Sequence, residues 1–299
     1  MAKIALELEH ALARRAREAT KGATASRVVA SGEGFSVSDV LCTCGPRDAA
    51  FEERHGEFCI ALVAAGAFEY RCSTGHALMT PGAVLLGNAG ECFECAHRHR
   101  AGDRCIAFHY RPEFFERLFA DAGHAGRSPS FASARIAPAR ALASFVAAAG
   151  AAVSASSAAD IAWDEMALSL AASVLRQADG AAPSGAKPVS RAALARVVDT
   201  LQWIDGEPDA ALGVEHLAKQ AGLSPYHFLR TFERATGVTP HQYILRARLR
   251  VAAQRLADAP DKVVDVALAC GFADLSNFNR AFRAEFGVAP RAYRNRFRR

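Results

Sequence analysis

The sequence predicts an α+β chain: a small N-terminal β-barrel with helices, a linker, and an all-α C-terminal domain carrying two helix-turn-helix units. Three observations predict it. Short segments rich in Val, Ile, Phe and Tyr fill about residues 35–110, Ala/Leu-rich helical spacing runs through about 113–177, and one helical unit is written twice in the last third. The expected domains are 1–178, a linker at 179–190, and 191–299. A length of 299 residues is enough for about two cores of this kind.

The opening residues, MAKIALELEHALARRAREAT, mix Leu and Ala with Glu7, Glu9, Arg14 and Arg15. They read as an amphipathic helix, because a secretory signal needs an unbroken apolar stretch. No run approaches the roughly 18 apolar residues of a membrane span. Eight cysteines without a signal peptide fit a reducing cytoplasm, so free thiols are expected rather than disulfides.

FCIALVAAGAFEYRC, GAVLLGN and CIAFHY are separated by the turn signals Pro81-Gly82 and Gly102-Asp103, which suggests antiparallel strands forming a small barrel or sandwich. Helices are expected around 113–122, 138–153 and 159–177. In the last, Ile161, Leu168 and Leu175 form a heptad-spaced stripe that either packs on its own domain or makes a homodimer seam. DGAAPSGAKPVS, Asp179 to Ser190, lacks apolar periodicity and reads as the linker.

The C-terminal third is basic. It holds 17 Lys/Arg against 11 Asp/Glu, a balance of +6, while the first 190 residues hold 19 against 20, and the two sum to the net +5. A polyanion partner is implied for that third alone. The repeat lies here. Phe228, Arg230, Phe232, Gly237, Val238, Pro240 and Tyr243 recur fifty residues later as Phe278, Arg280, Phe282, Gly287, Val288, Pro290 and Tyr293. Ala218 and Gly222 recur after forty-nine, as Ala267 and Gly271.

Each copy has the parts of a helix-turn-helix. A short helix ends at a glycine able to turn left-handed, an apolar residue (Leu223 or Phe272) plugs the turn, and a capped helix follows from Ser224-Pro225 or Asp274. With the phenylalanines inward, Tyr226, His227, Leu229 and Arg230 face solvent in one copy, and Leu275, Ser276, Asn277, Asn279 and Arg280 in the other. Asn and Arg read adenine and guanine edges in the major groove.

Ser224, Phe228, Arg230, Phe232, Gly237, Pro240 and Tyr243, with Gly271-Phe272, Phe278, Arg280, Phe282, Gly287, Pro290 and Tyr293, resemble the signature of the AraC/XylS family over about 211–299. The resemblance implies a cytoplasmic, sequence-specific transcription regulator whose partner is double-stranded DNA, and RNA polymerase where it acts as an activator. It implies seven helices, with a long helix at about 241–257 setting the two recognition helices about 34 Å apart. Tyr226, Leu229, Arg230, Leu275, Ser276 and Arg280 match its base-facing positions. Leu229 and Leu275 are apolar there, which suits a thymine methyl better than a hydrogen bond. Arg246, Arg248, Arg250 and the tail Arg291, Arg294, Arg296, Arg298 and Arg299 add charge, some of it for phosphates. The β-rich segment resembles the cupin-like sensory domain of such regulators, without the ordered cupin metal motif.

Within Glu91–Tyr110, Cys95, His97 and His99 share strand parity. A hairpin centred on Gly102 would set Cys105 opposite His99 and His109 opposite Cys95. Cys95 and His99 would still stand about 13 Å apart, too far for one ion with bonds of about 2.0–2.3 Å. Three readings stay open: buried thiols with hydrogen-bonded histidines, a transition-metal or thiol-sensing site, or contact with a small-molecule effector. Two other classes are distinguishable. An enzyme would be a metal-dependent cupin oxidase or an alkyl-transfer repair protein, but Cys270 sits at a helix core position and not in a Cys-rich module beside the repeat. A nucleoid-type protein would bind without discrete sites.

Overall fold

The computed structural model describes residues 2–154, 163–178, 189–210, 212–258 and 260–295. The chain divides into two compact units, 3–186 and 187–299, with the first two residues grouped with the second. Most of the expected linker, 179–188, lies outside the described residues.

The N-terminal unit begins with α1 (Ala2–Glu18), the amphipathic helix expected, which buries Ile4, Leu8 and Ala11. Its polar side is tied down as well: Arg15 donates to Asp48 at 2.6 Å, and Glu7 accepts from Arg104. Ten strands follow: β1 (Thr24–Gly32), β2 (Phe35–Cys42), β3 (Phe51–Arg54), β4 (Phe58–Gly66), β5 (Phe68–Cys72), β6 (Gly75–Met79), β7 (Val84–Gly87), β8 (Cys92–Ala96), β9 (Asp103–Tyr110) and β10 (Arg135–Ile136). They form two antiparallel sheets, ordered β1-β2-β9-β4-β7-β10 and β3-β8-β5-β6. Of the two forms expected, barrel or sandwich, the sheets do not close into a barrel: no ladder joins them, and two strands, β1 and β10, lie outside the span of 35–110.

Sheet position explains the hydropathy of each strand. β4 and β9 are central and are covered on both faces, so FCIALVAAG is apolar throughout and the middle of DRCIAFHY, CIAF, is apolar without alternating. One face of the larger sheet meets the smaller sheet through Cys59, Ala61, Val63, Cys105 and Ala107 against Phe68, Tyr70, Met79 and Cys95. Its other face carries Ile60, Leu62, Ile106 and Phe108. There Phe58 stacks on Phe115 at 4.4 Å, and Tyr110 donates to the Ala167 carbonyl at 2.9 Å. These partners belong to α2 (Pro112–Phe119) and α4 (Trp163–Ala178); α3 is Arg140–Ser154.

On the same face Arg104 grips Asp39 with two 2.8 Å bonds, one to each carboxylate oxygen. Burial opposes charge on Asp39, but the Arg104 and Arg27 guanidiniums outweigh it and hold the carboxyl below its usual range. Of the heptad stripe, Ile161 lies outside the described residues, Leu175 is buried and Leu168 is 43% exposed. The face that α4 buries runs through Ala167, Leu170, Ala171 and Val174 instead.

The C-terminal unit contains α5 (Arg191–Gly206), α6 (Val214–Gln220), α7 (Pro225–Thr236), α8 (Pro240–Asp258), α9 (Val263–Ala269), α10 (Leu275–Phe286) and α11 (Pro290–Asn295), the seven helices expected. Among the described residues no helix is long and apolar enough to cross a membrane.

The two turn glycines differ in what holds them. Gly222 has φ +64° with open space around it, whereas a Cβ on Gly271 (φ +79°) would sit 2.8 Å from the Asp209 backbone. Urea unfolding should therefore show Gly222→Ala costing about 1 kcal/mol through backbone conformation alone. Gly271→Ala should cost about 2–4 kcal/mol, because backbone must move too. Equal losses would refute this distinction.

Candidate nucleic-acid interface and the cysteine–histidine interior

Each helix-turn-helix unit is built outward from an aromatic clamp. Phe228 and Phe232 pack with ring centroids 5.6 Å apart, and Phe232 meets Tyr243 edge-on at 5.8 Å and 77°. The second copy repeats this: Phe278 and Phe282 at 5.5 Å, and Phe282 with Tyr293 at 5.3 Å and 80°. All four phenylalanines are fully buried. The helices start at matched caps, where Ser224 accepts from the His227 amide and Asp274 from the Asn277 amide at 2.6 Å. They end at Gly237 and Gly287, both left-handed.

With that side committed to the core, the opposite face is open. Tyr226, His227 and Arg230 are exposed on α7, and Leu229 is half-buried. On α10, Leu275, Ser276, Asn277, Asn279 and Arg280 are all exposed. Each copy steadies its arginine with a neighbour one turn earlier. The Arg230 guanidinium lies over the Tyr226 ring, 5.7 Å from its centroid. Arg280 donates to Asn277 Oδ1 at 3.3 Å. The two guanidiniums are therefore oriented without being buried.

The arginines of α8 do other work. Arg246 pairs with buried Glu285 at 3.2 Å, and Arg250 lies over the Tyr243 ring and 3.5 Å from Asp205. Arg248 donates to the carbonyls of Pro208, Ala210 and Gly271 at 2.7, 2.9 and 2.9 Å, binding the turn of the second copy to the segment before α6. Of the arginines expected to supply charge, some of it for phosphates, these three turn their guanidiniums to acceptors inside the unit. In the tail, Arg291 is exposed and Arg294 donates to the Asp261 carbonyl, while Arg296, Arg298 and Arg299 lie outside the described residues.

In the N-terminal unit the expected hairpin does not form. β8 pairs with β3 and β5, β9 pairs with β2 and β4, and the two strands lie in different sheets. The five expected ligands therefore separate. Cys95 and Cys105 share the apolar interior between the sheets. His97 approaches Asp103 at 2.7 Å, with Cys42 close by. Strand β8 stops at Ala96, parity is lost, and His99 turns to Glu69 at 3.5 Å. His109 stands opposite Cys59 in the ladder.

Sequence reasoning missed Cys42, His55, Tyr70 and Asp103. Asp103 had looked like a turn residue, and the others came from distant strands with no shared pattern. His55 Nε2 lies 2.9 Å from the Tyr70 hydroxyl, and its ring stacks on Phe93 at 4.1 Å.

Electrostatics sort the interior into two kinds of site. Burial pushes the Cys59 thiol up to about 12, and raises Cys95 and Cys105 well above the ordinary thiol value. These are inert protonated thiols rather than nucleophiles. At His97 burial disfavours the charged ring, but the Asp103 carboxylate and the Cys42 thiol outweigh it and lift the pKa to about 9. All eight cysteines are free, with Cys92 exposed and Cys72 partly so.

His55 goes the other way: burial, then the neighbouring His109, lowers its pKa to about 4. Its neutral form stabilises the fold fully above about pH 6.5, and the unfolded chain gains from protonation as pH falls from about 6.5 toward 4. That is a loss of about 3 kcal/mol from this group, with His109 lowered in the same direction. Denaturation followed by Trp163 fluorescence in a Trp203→Phe background should show that slope, and His55→Gln should flatten it; an unchanged slope would refute the assignment.

Comparison with known proteins follows this division. A helix-turn-helix domain model matches residues 217–296, and an AraC-like ligand binding domain model matches 37–171. The chain is 34% identical over 102 residues to the regulatory protein SoxS of Salmonella typhimurium, covering 34% of this chain and 95% of SoxS. It is 36% identical over 91 residues to the probable transcriptional regulator LumQ of Photobacterium leiognathi, covering 30% of this chain but only 37% of LumQ. Among solved structures, the DNA-binding domain of AdpA in complex with a target DNA is 30% identical, covers 34% of this chain and 93% of that one, and has a TM-score of 0.34. The duplicated head, the open arginine-bearing helices and the ligand-binding unit before them agree with these matches, and the chain belongs to the AraC family of DNA-binding transcription regulators.

Proposed function

We propose that the chain is a one-component switch. Residues 1–178 form the sensory unit, 179–190 the linker, and 191–299 the part that reads duplex DNA. The observation that carries this is the pair of matched helices, each exposing an oriented arginine opposite a fully buried phenylalanine pair. In this reading α7 and α10 enter successive major-groove faces. Arg230 and Arg280 take guanine edges, with Asn277 and Asn279 positioned for adenine. Tyr226, His227, Ser276 and the apolar Leu229 and Leu275 complete the contact surface, the leucines against thymine methyls.

The sensory unit binds rather than catalyses, and an effector, metal or small molecule, biases how a homodimer places its reading units in the cytoplasm. RNA polymerase is the further partner where the bound site activates. The inert thiols of Cys59, Cys95 and Cys105 support a binding role over a cysteine nucleophile.

Arg230→Ala and Arg280→Ala should each weaken operator binding by about 1–3 kcal/mol in gel-shift titrations. Their exposure predicts unfolding free energies within about 0.5 kcal/mol of the parent, so the loss will not be one of folding. Unchanged affinity in both variants would overturn the reading.

A further inference from the structure

One cluster in the N-terminal unit is not used by DNA reading or by the apolar core. Cys42 ends β2, Asp103 begins β9, and these two are cross-strand partners in the larger sheet. His97 follows β8 of the smaller sheet directly. The Cys42 Sγ, a His97 ring nitrogen and an Asp103 carboxylate oxygen all lie within 4.8 Å of one another, and all three residues are buried.

We propose that Cys42, His97 and Asp103 hold one divalent transition-metal ion of zinc-like softness, which ties the two sheets together at this end of the unit. The donor set fits such an ion: a thiolate, an imidazole and a carboxylate are its three ordinary protein ligands. The two anionic ligands would balance the dication, so the buried site would carry no net charge. A tetrahedral ion with bonds of about 2.0–2.3 Å holds its ligands about 3.4 Å apart. The His97–Asp103 approach of 2.7 Å must therefore open slightly as the metal replaces the proton between them.

His97 is 5% exposed and turns its Nε2 into the cluster, toward Asp103.

The surroundings hold the ligands in place. The His97 ring stacks on Phe68 at 5.8 Å. The second Asp103 oxygen accepts from the Cys105 thiol at 3.3 Å, the kind of outer contact that orients a ligating carboxylate. Gly102, at φ +80°, lies under Leu8 and Leu12 of α1, and its amide donates to the Cys44 carbonyl at 2.8 Å. Three protein ligands leave a fourth position for water or a small anion, as in sites that exchange a ligand.

Cobalt(II) titration of the full chain, purified under reducing conditions, tests the proposal directly. The expected result is one cobalt per chain with a single-thiolate charge-transfer band, displaced by one equivalent of zinc. Cys42→Ser should lose that band and His97→Gln the stoichiometric binding, while Cys92→Ser, which removes the exposed thiol, keeps both. No stoichiometric binding by the unmodified chain, or a band that survives Cys42→Ser, would overturn the proposal. Should either variant misfold, the unmodified protein still decides. One equivalent of zinc must raise its thermal midpoint and a chelator must restore it, and no shift would overturn the proposal equally. None of these readouts involves DNA, so the regulator reading stands or falls separately.

Discussion

A short helix has two sides, and in each half of the C-terminal unit one side is wholly committed to an aromatic clamp. Phe232 against Tyr243, and Phe282 against Tyr293, cross at nearly the same distance and angle fifty residues apart. Large rings buried on one side of a helix leave the opposite side only to solvent or to a partner. The left-handed glycines after each helix and the Ser224 and Asp274 caps before it fix where that side begins and ends. The placement of Arg230 and Arg280 is thus a result of core packing, and it would persist with other residues at the exposed positions. Recognition can vary while the scaffold stays.

The N-terminal unit solves a different problem. Its central strands are buried on both faces, so every polar group that enters needs a partner inside. Arg104 finds Asp39 and Glu7, His55 finds Tyr70, Asn88 exchanges two bonds with the Phe131 backbone, and His97 finds Asp103. The cysteines divide by the same logic. Those deep between the sheets behave as small apolar side chains, whereas Cys42, at a strand end beside a histidine and a carboxylate, has polar company.

Much of this was legible in the sequence, for reasons that can be named. The repeat could be read because glycine, proline and aromatic positions tied to one backbone path recur at nearly constant offset. The opening helix showed its amphipathic spacing, and α8 matched the long spacer expected from family resemblance. The sandwich interior was misread because strand partners lie far apart in sequence: Arg104 meets Asp39 across 65 residues. A signal was present nonetheless. DRCIAFHY has an unbroken apolar middle, CIAF, which suits a central strand with two neighbours. ECFECA sets Glu91 and Glu94 among its apolar residues, as a strand of an outer, partly wet sheet would. Strands of such different character are poor hairpin partners, and the short, glycine-bearing connection at Gly102 concealed this. The roles of Arg246, Arg248 and Arg250 were hidden in the same way, since their acceptors come from α10 and the segments around α6.

In the proposed reading, two equivalent heads, held by matching clamps, present their open helices to one face of duplex DNA. Hydroxyl-radical footprinting of the full chain on its operator tests it most directly. The account predicts, for each bound chain, two protected patches on the same face, one helical turn or about 10 base pairs apart. One patch per chain, or patches on opposite faces, would contradict it.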